Sequence, residues 1–155
     1  MPLVTLFVGS KSDVESVRPA LATLERFGVS CRPLVCSAHR APERLKELIH
    51  QAEADGTQVF ICGAGLAAAL PGAVASHTSK PVIGIPLASG ALNGLDSLYS
   101  IVQMPPGVPV AAVGINAAAN AASLAVQILS LSDPALAERY ATFRREQSSR
   151  VDSFE

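Results

Sequence analysis

The chain has 155 residues, of which 49% are hydrophobic and only 16% charged, and its formal net charge is −1. This length fits one domain with a sizeable core, so a single domain over residues 1–155 is expected. The chain has no basic run to suit nucleic acid and no apolar stretch long enough to predict a membrane span. So little charge predicts that other subunits cover much of the surface.

The cysteines and histidines point to neither disulfides nor a metal. Cys31, Cys36 and Cys62 form neither an even set nor a CxxC pair, which is typical of reduced, cytoplasmic thiols that act as small apolar residues. The chain opens on a strand-like run without a charged leader, which favours the same compartment. The histidines lack the spacing of metal ligands, so no metal site is expected.

Apolar runs rich in β-formers alternate with runs of helical periodicity along the chain. Strands are predicted over residues 3–8, 29–36, 58–62, 81–86 and 108–113. Helices are predicted over residues 14–27, 42–54, 66–77, 97–103, 116–131 and 134–150. This alternation predicts an α/β fold with a three-layer, doubly wound, parallel five-stranded sheet. The helix after the sheet, about residues 134–150, is expected to pack on a neighbouring subunit.

Local start signals predict how three of these helices begin. Ser12, with Glu15 three residues on, matches a capping box for the first helix. Asp96-Ser97 is expected to cap the short fourth helix. Gly63-Ala64-Gly65 is expected to open the third helix, and Pro71-Gly72 to disturb its middle.

The loop after the second strand, Ser37–Pro42, contains a histidine and an arginine side by side. An imidazole has an unperturbed pKa of roughly 6.5, so histidine is the side chain best suited to exchange a proton near neutrality. Arg40 offers a forked cation suited to phosphate or carboxylate. Open α/β sheets bind ligands at this carboxyl edge, which favours a functional pair. Taken alone, the two are better explained as a loop histidine and a surface arginine.

Two more loops end at the same edge of the predicted sheet. Gly9–Asp13 precedes a helix, whose free N–H groups suit a phosphate, and Asp13 can accept hydrogen bonds from ribose hydroxyls. The small residues after the third strand are expected to leave a dry, narrow hollow near Ala64 and Ala67. Helix capping in the first loop and tight helix packing in the third are the alternatives. The combination of the three loops favours a ligand site.

Six motifs together match one known pattern. They are Gly9-Ser10-Lys11-Ser12-Asp13, Ser37-Ala38-His39-Arg40-Ala41-Pro42, Gly63-Ala64-Gly65, Leu70-Pro71-Gly72, Pro81-Val82-Ile83-Gly84 and Asp96-Ser97-Leu98-Tyr99-Ser100-Ile101-Val102-Gln103-Met104-Pro105. The chain resembles the PurE family of purine biosynthesis over about residues 3–131. The family has a carboxylase branch, which carboxylates aminoimidazole ribonucleotide directly with CO2. Its mutase branch moves the carboxylate of N5-carboxyaminoimidazole ribonucleotide from the exocyclic nitrogen to ring carbon 4.

The chain is more similar to the mutase branch. The carboxylase branch usually has Lys after the histidine and Arg-Ser-Asn in the third loop, where this chain has Arg40 and Leu66-Ala67-Ala68. Two positions depart from the mutases: Ala69 stands where a second His is common, and Leu66 where Gly is common. The carboxylase activity is the nearest alternative, while a non-catalytic nucleotide-phosphate binding module and a structural assembly domain are alternatives of other classes.

The resemblance implies a flavodoxin-like fold, a homo-octamer and a ribonucleotide substrate, with no metal, biotin, ATP or other cofactor. From the cysteines a cytoplasmic protein is expected, and from charge and hydropathy neither a nucleic-acid nor a membrane partner. His39 would be the catalytic proton shuttle, and nine other residues would bind substrate. These are Ser10, Ser12, Asp13, Ser37, Ala38, Arg40, Gly65, Ala67 and Leu70.

Overall fold

The computed structural model of the protein describes residues 1–149. Its parallel strands are β1 (Val4–Val8), β2 (Cys31–Val35), β3 (Val59–Gly65), β4 (Val82–Leu87) and β5 (Ala111–Ala112). Its helices are α1 (Val14–Arg26), α2 (Pro42–Ala54), α3 (Leu70–Ala75), α4 (Leu95–Val102), α5 (Ala118–Ser130) and α6 (Pro134–Ser148). The sheet order β2-β1-β3-β4-β5 is the flavodoxin-like order. The predicted three-layer α/β fold is confirmed.

The unbroken apolar run of β1 reflects burial on both faces of the sheet. All five of its residues are buried. Because strand side chains alternate, Val4, Leu6 and Val8 join the core beneath α1 and α5, whereas Phe7 joins the core beneath α2 and α3. Strand β1 is therefore packed on both faces, and the loops that form the site leave the sheet beside its carboxyl end.

The order of the strands reverses at β1, which places a crevice at its carboxyl end. The chain passes from β1 to β2 on one side, and then returns to add β3 on the other. In register, Val8 stands opposite Val35 of β2 and Gly63 of β3. Ligands of open α/β sheets bind at such a switch point, and here three loops leave the sheet side by side.

The third loop differs from its prediction. Gly63-Ala64-Gly65 continues β3 and pairs with β4, so it does not open a helix. Leu66, with φ +53°, ends the strand, and α3 begins only at Leu70. Pro71 therefore lies in the first turn of α3, where its missing N–H would have no intrahelical partner, and it does not disturb the middle of the helix.

The capping box predicted for α1 is wrong. The hydroxyl oxygen of Ser10 accepts a hydrogen bond from the backbone N–H of Ser12 at 3.3 Å and begins a 3₁₀ turn, Lys11–Asp13. The hydroxyls of Ser10 and Ser12 are themselves 2.9 Å apart. Because this turn precedes α1, the helix begins at Val14, without a side-chain cap.

Two predictions about the second half of the sheet are also wrong in detail. The N-cap of α4 is Gly94, with φ +95°, while the hydroxyl of Ser97 donates to the carbonyls of Leu87 and Gly94 at 3.0 and 2.9 Å. Strand β5 contains only Ala111–Ala112, not the predicted six residues. It is an edge strand, and Pro109 just before it lacks the N–H that a longer ladder would need.

The last helix, α6, packs on its own chain. Leu136 is buried, and the rings of Tyr140 and Phe143 lie 5.6 and 5.3 Å from that of Phe27, which follows α1. Packing of α6 on a neighbouring subunit stays a prediction for its other faces. Arg150, the predicted end of this helix, lies outside the described residues.

Candidate active site

The loops after β1, β2 and β3 meet around one small hollow of about 90 Å³. It is lined by Gly9, Asp13, Ser37, Ala38, His39, Ala64, Gly65, Ala68, Ala69 and Leu70. The lining therefore contains residues from all three loops that the sequence singled out. Ligand pockets are commonly about 300–1,000 Å³, so the hollow admits a group of a few atoms and only part of a nucleotide.

A short turn holds His39 at the rim of the hollow. The backbone N–H of Ala41 donates to the carbonyl of Ser37 at 3.0 Å, and that of Arg40 donates to the Ser37 hydroxyl at 3.2 Å. Pro42 then begins α2 with its fixed φ. These two hydrogen bonds to Ser37 hold the backbone of the turn. The side chain of His39 is exposed on it and can contact a ligand without unfolding of the loop.

Asp13 is the only carboxylic acid among the ten lining residues, and His39 the only base. Burial raises the pKa of Asp13, and a backbone hydrogen bond with Ser10 offsets part of that rise. The carboxyl group thus lies in a partly desolvated position at the start of the first helical turn. Its oxygens can accept hydrogen bonds from ligand hydroxyls.

The third loop supplies the apolar wall. Ala64, Ala68 and Leu70 are 6, 4 and 3% exposed, so their methyl groups face protein and the hollow, not solvent. Ala69 also lines the hollow, at the position where mutases of the resembled family often carry a second histidine. The site therefore presents one imidazole beside a wall without hydrogen-bonding side chains, which suits a small uncharged molecule.

The structure brings six of the ten predicted site residues to the lining. These are Asp13, Ser37, Ala38, His39, Gly65 and Leu70. Four are not in the lining: Ser10 is half-buried in the first loop, whereas Ser12, Arg40 and Ala67 are exposed.

The sequence missed Gly9, Ala68 and Ala69 as lining residues. The small-residue run of the third loop gave the only available indication of the two alanines. It pointed to Ala67 instead, because the strand was expected to end before Gly63. With β3 continuing to Gly65, the chain turns later, and Ala68 reaches the position expected of Ala67.

The described part of the chain offers neither a metal site nor a membrane span. Within residues 1–149, no three His, Cys, Asp or Glu side chains are grouped closely enough to hold a metal ion. No helix in that range combines the length and apolarity that crossing a bilayer requires. All three cysteines are free, and burial raises the pKa of each thiol, to about 11 for Cys31.

A family model described as AIR carboxylase matches residues 3–150, nearly the whole chain. The chain belongs to the AIR carboxylase family. Among its relatives in this family, the N5-carboxyaminoimidazole ribonucleotide mutase of Pyrococcus abyssi is 53% identical over 94% of this chain and 84% of that protein. The mutase of Saccharolobus solfataricus is 50% identical over 97% of this chain and 96% of that protein.

Solved structures of the AIR carboxylase family have the same fold. The crystal structure of Treponema denticola PurE matches with a TM-score of 0.89 and 30% identity, covering 97% of this chain and 94% of that one. The resemblance to PurE that the motifs indicated is thereby confirmed, and so is the flavodoxin-like fold that it implied.

Proposed function

We propose that the chain is an N5-carboxyaminoimidazole ribonucleotide mutase of purine biosynthesis, an isomerase that moves a carboxylate from the exocyclic nitrogen to ring carbon 4. The observation that carries this proposal is the imidazole of His39 at the rim of a hollow of about 90 Å³. Relatives named as this mutase, 53 and 50% identical over almost the entire chain, support it.

In the first step, the bond between the exocyclic nitrogen and the carboxylate carbon breaks and releases CO2. The nitrogen takes a proton from cationic His39. In the second step, ring carbon 4 attacks CO2 and forms the new carbon–carbon bond. Neutral His39 then removes the proton from that carbon, which restores the aromatic ring. The histidine ends in its starting state, so the cycle consumes no proton and needs no external energy.

The barrier is lowered chiefly by containment. Acid–base action by one residue contributes about 10²–10⁴-fold. Orientation of two fragments can contribute roughly 7–11 kcal/mol, provided that CO2 stays beside the ring. The buried wall of Ala64, Ala68 and Leu70 supports this, because it excludes water from one side of the hollow.

The ribose and phosphate would lie outside the hollow, which is too small for them. In this proposal Asp13 accepts hydrogen bonds from the ribose hydroxyls. The phosphate lies on the first loop, where the hydroxyls of Ser10 and Ser12, 2.9 Å apart, precede the N-terminus of α1. Arg40, exposed beside His39, supplies the cation.

The base would be held by the remaining proposed contacts. Ser37 and Ala38 precede His39 in its turn, and Gly65 and Leu70 line the opposite wall of the hollow. Exposed Ala67 would touch substrate only above the hollow.

We further propose that the whole chain is one domain of a cytoplasmic homo-oligomer, an octamer as the family resemblance implies. Between Lys80 and Asp133 the sequence has a single charged residue, Asp96. This segment also carries most of the exposed large apolar side chains. They are Leu92, Leu95, Tyr99, Val102, Ile115 and Leu131. A surface so poor in charge supports burial against other copies of the chain, and the outer face of α6 would lie at such an interface.

The purified protein should convert the carbamate ribotide to its carbon-carboxylated isomer without ATP. The measurement is product formation from N5-carboxyaminoimidazole ribonucleotide, in parallel with aminoimidazole ribonucleotide plus bicarbonate. Faster turnover of the second mixture would instead indicate the carboxylase activity. No turnover of either would leave the nucleotide-phosphate binding module as the better description.

Arg40→Ala should raise KM for the ribotide by about 10- to 100-fold, because a hydrogen bond to a charged group contributes about 1.5–3 kcal/mol. The turnover number should change little, since the phosphate is remote from the reacting atoms. Arg44→Ala is the matched control: Arg44 is an exposed arginine of α2 that pairs with Glu47 at 2.9 Å. An unchanged KM in the Arg40 variant would contradict the phosphate contact.

A further inference from the structure

Leu66 has a backbone conformation that favours glycine. Its φ is +53°, in the left-handed region that side-chain-bearing residues rarely adopt. Its side chain is 52% exposed, so burial in the core does not account for the leucine either. Strained backbone that core packing does not account for is found mostly at functional sites, and Leu66 directly follows Gly65, a lining residue of the hollow.

The side chain of Leu66 lies against the loop that follows β4, residues 88–94. Its Cδ2 atom is 2.9 Å from the point where a Cβ atom on Gly90 would stand. In the same way, a Cβ on Gly65 would lie 3.3 Å from Cβ of Ser89. Because both glycines lack side chains, the 88–94 loop approaches the end of β3 closely, and Leu66 fills the space above Gly90.

The hydrogen bonds that tie this loop to other elements lie at its two ends, while within the loop the N–H of Asn93 donates to the carbonyl of Gly90 at 3.4 Å. The Ser97 hydroxyl donates to the carbonyls of Leu87 and Gly94 at 3.0 and 2.9 Å. The backbone N–H of Ala88 donates to Oδ1 of Asn116 at 2.9 Å. The middle of the loop is exposed, and there the apolar contact with this leucine joins it to the third loop.

We propose that Leu66 is a positioning residue that holds the 88–94 loop against Gly65 and so closes the β4 side of the hollow while CO2 is free. This inference rests on the proposed mutase function. CO2 released in the first step must stay beside ring carbon 4 until the new bond forms, and an apolar seam keeps water out of that space. Glycine at this position would relax the backbone but would leave the seam open.

The test follows the carboxylate carbon through the reaction. Wild type and Leu66→Gly turn over substrate labelled with ¹³C in the carbamate, in unlabelled bicarbonate buffer with carbonic anhydrase present. The product is analysed by mass spectrometry. In the wild type most product should retain the label. In Leu66→Gly the ratio of exchanged to retained label should rise about fivefold, which corresponds to roughly 1 kcal/mol at 1.4 kcal/mol per tenfold.

Stability provides a second readout that separates this role from a structural one. Glycine tolerates a positive φ, so Leu66→Gly should unfold at no lower urea concentration than Leu66→Ala. The product of Leu66→Gly should nevertheless retain less label than that of the wild type. Leu66→Met, which keeps an apolar side chain of similar size, should restore retention. Lys46→Ala, which truncates an exposed side chain of α2 outside the hollow, is the control and should behave as wild type.

The outcomes distinguish this inference from the function on which it rests. Absence of product in the wild type would overturn the mutase proposal itself. Normal product with equal label retention in wild type and Leu66→Gly would overturn the role of Leu66 alone. The same holds if the wild type already exchanges all of its label, because there would then be no retention for Leu66 to supply.

Discussion

His39→Asn should lose turnover by at least about 10²–10⁴-fold while the protein keeps its fold, its assembly and most of its affinity for the ribotide. Asparagine is of similar size and can hydrogen-bond, but it does not exchange protons near neutrality. Both proposed steps use the same imidazole, and the one other titratable side chain of the lining, Asp13, is assigned to the ribose hydroxyls. The side chain is exposed, and its replacement therefore removes no core packing.

The measurement is kcat for the carbamate ribotide together with a calorimetric Kd for aminoimidazole ribonucleotide. His50→Asn is the matched control, because His50 is an exposed histidine of α2 outside the hollow. It should leave both quantities unchanged. Activity within a few fold of wild type in the His39 variant would remove this residue from the mechanism, and the proposed cycle would have to be abandoned.

Elements with both a periodic pattern and clear boundary residues were predictable from the sequence. Helix α2 runs from Pro42 to Ala54, as predicted, because the proline presets its first turn and Asp55-Gly56 ends it. The buried strands were equally clear, since a continuous apolar run between helices is typical of a parallel strand that is covered on both faces. Local chemistry was sufficient for these elements.

Elements decided by packing were not predictable. Glycine is typical of a turn, yet Gly63 lies inside β3. A Cβ atom at this position would come within 2.8 Å of Val17 on α1, so the glycine allows the helix to approach the sheet closely. A single sequence does not show such an approach. The capping-box prediction failed because two serines could each cap the first helical turn. Ser10 caps the 3₁₀ turn, and the hydroxyl of Ser12 forms a hydrogen bond with the hydroxyl of Ser10.

The candidate site was predictable as a set of loops but not as a lining. The strand–helix alternation brings the loops with Asp13, His39 and Gly65 to one edge whatever the details. Which alanine faces inward depends on where β3 ends, and a shift of the strand end by three residues exchanged Ala67 for Ala68. A site assigned by motif therefore needs the strand end before individual contacts can be named.

The hollow itself is tested by filling it. Ala64→Val adds two methyl groups to a strand residue that is 6% exposed and lines the hollow, in the space assigned to CO2. Valine is favoured in strands, so we expect a loss of stability of no more than about 1–3 kcal/mol from overpacking. Turnover should fall about 100-fold or more, because CO2 and the ring can no longer stay in contact.

Affinity for the ribotide should be affected far less than turnover by Ala64→Val, since the proposed phosphate contacts lie outside the hollow and the proposed ribose contact, Asp13, belongs to a different loop. Urea unfolding, kcat and the Kd for aminoimidazole ribonucleotide measure the three effects. Ala75→Val adds the same volume at an alanine of α3 outside the hollow and should stay active. If Ala64→Val were folded and fully active, the reacting carbon could not occupy this space, and the hollow would be a packing defect beside a site whose chemistry takes place elsewhere.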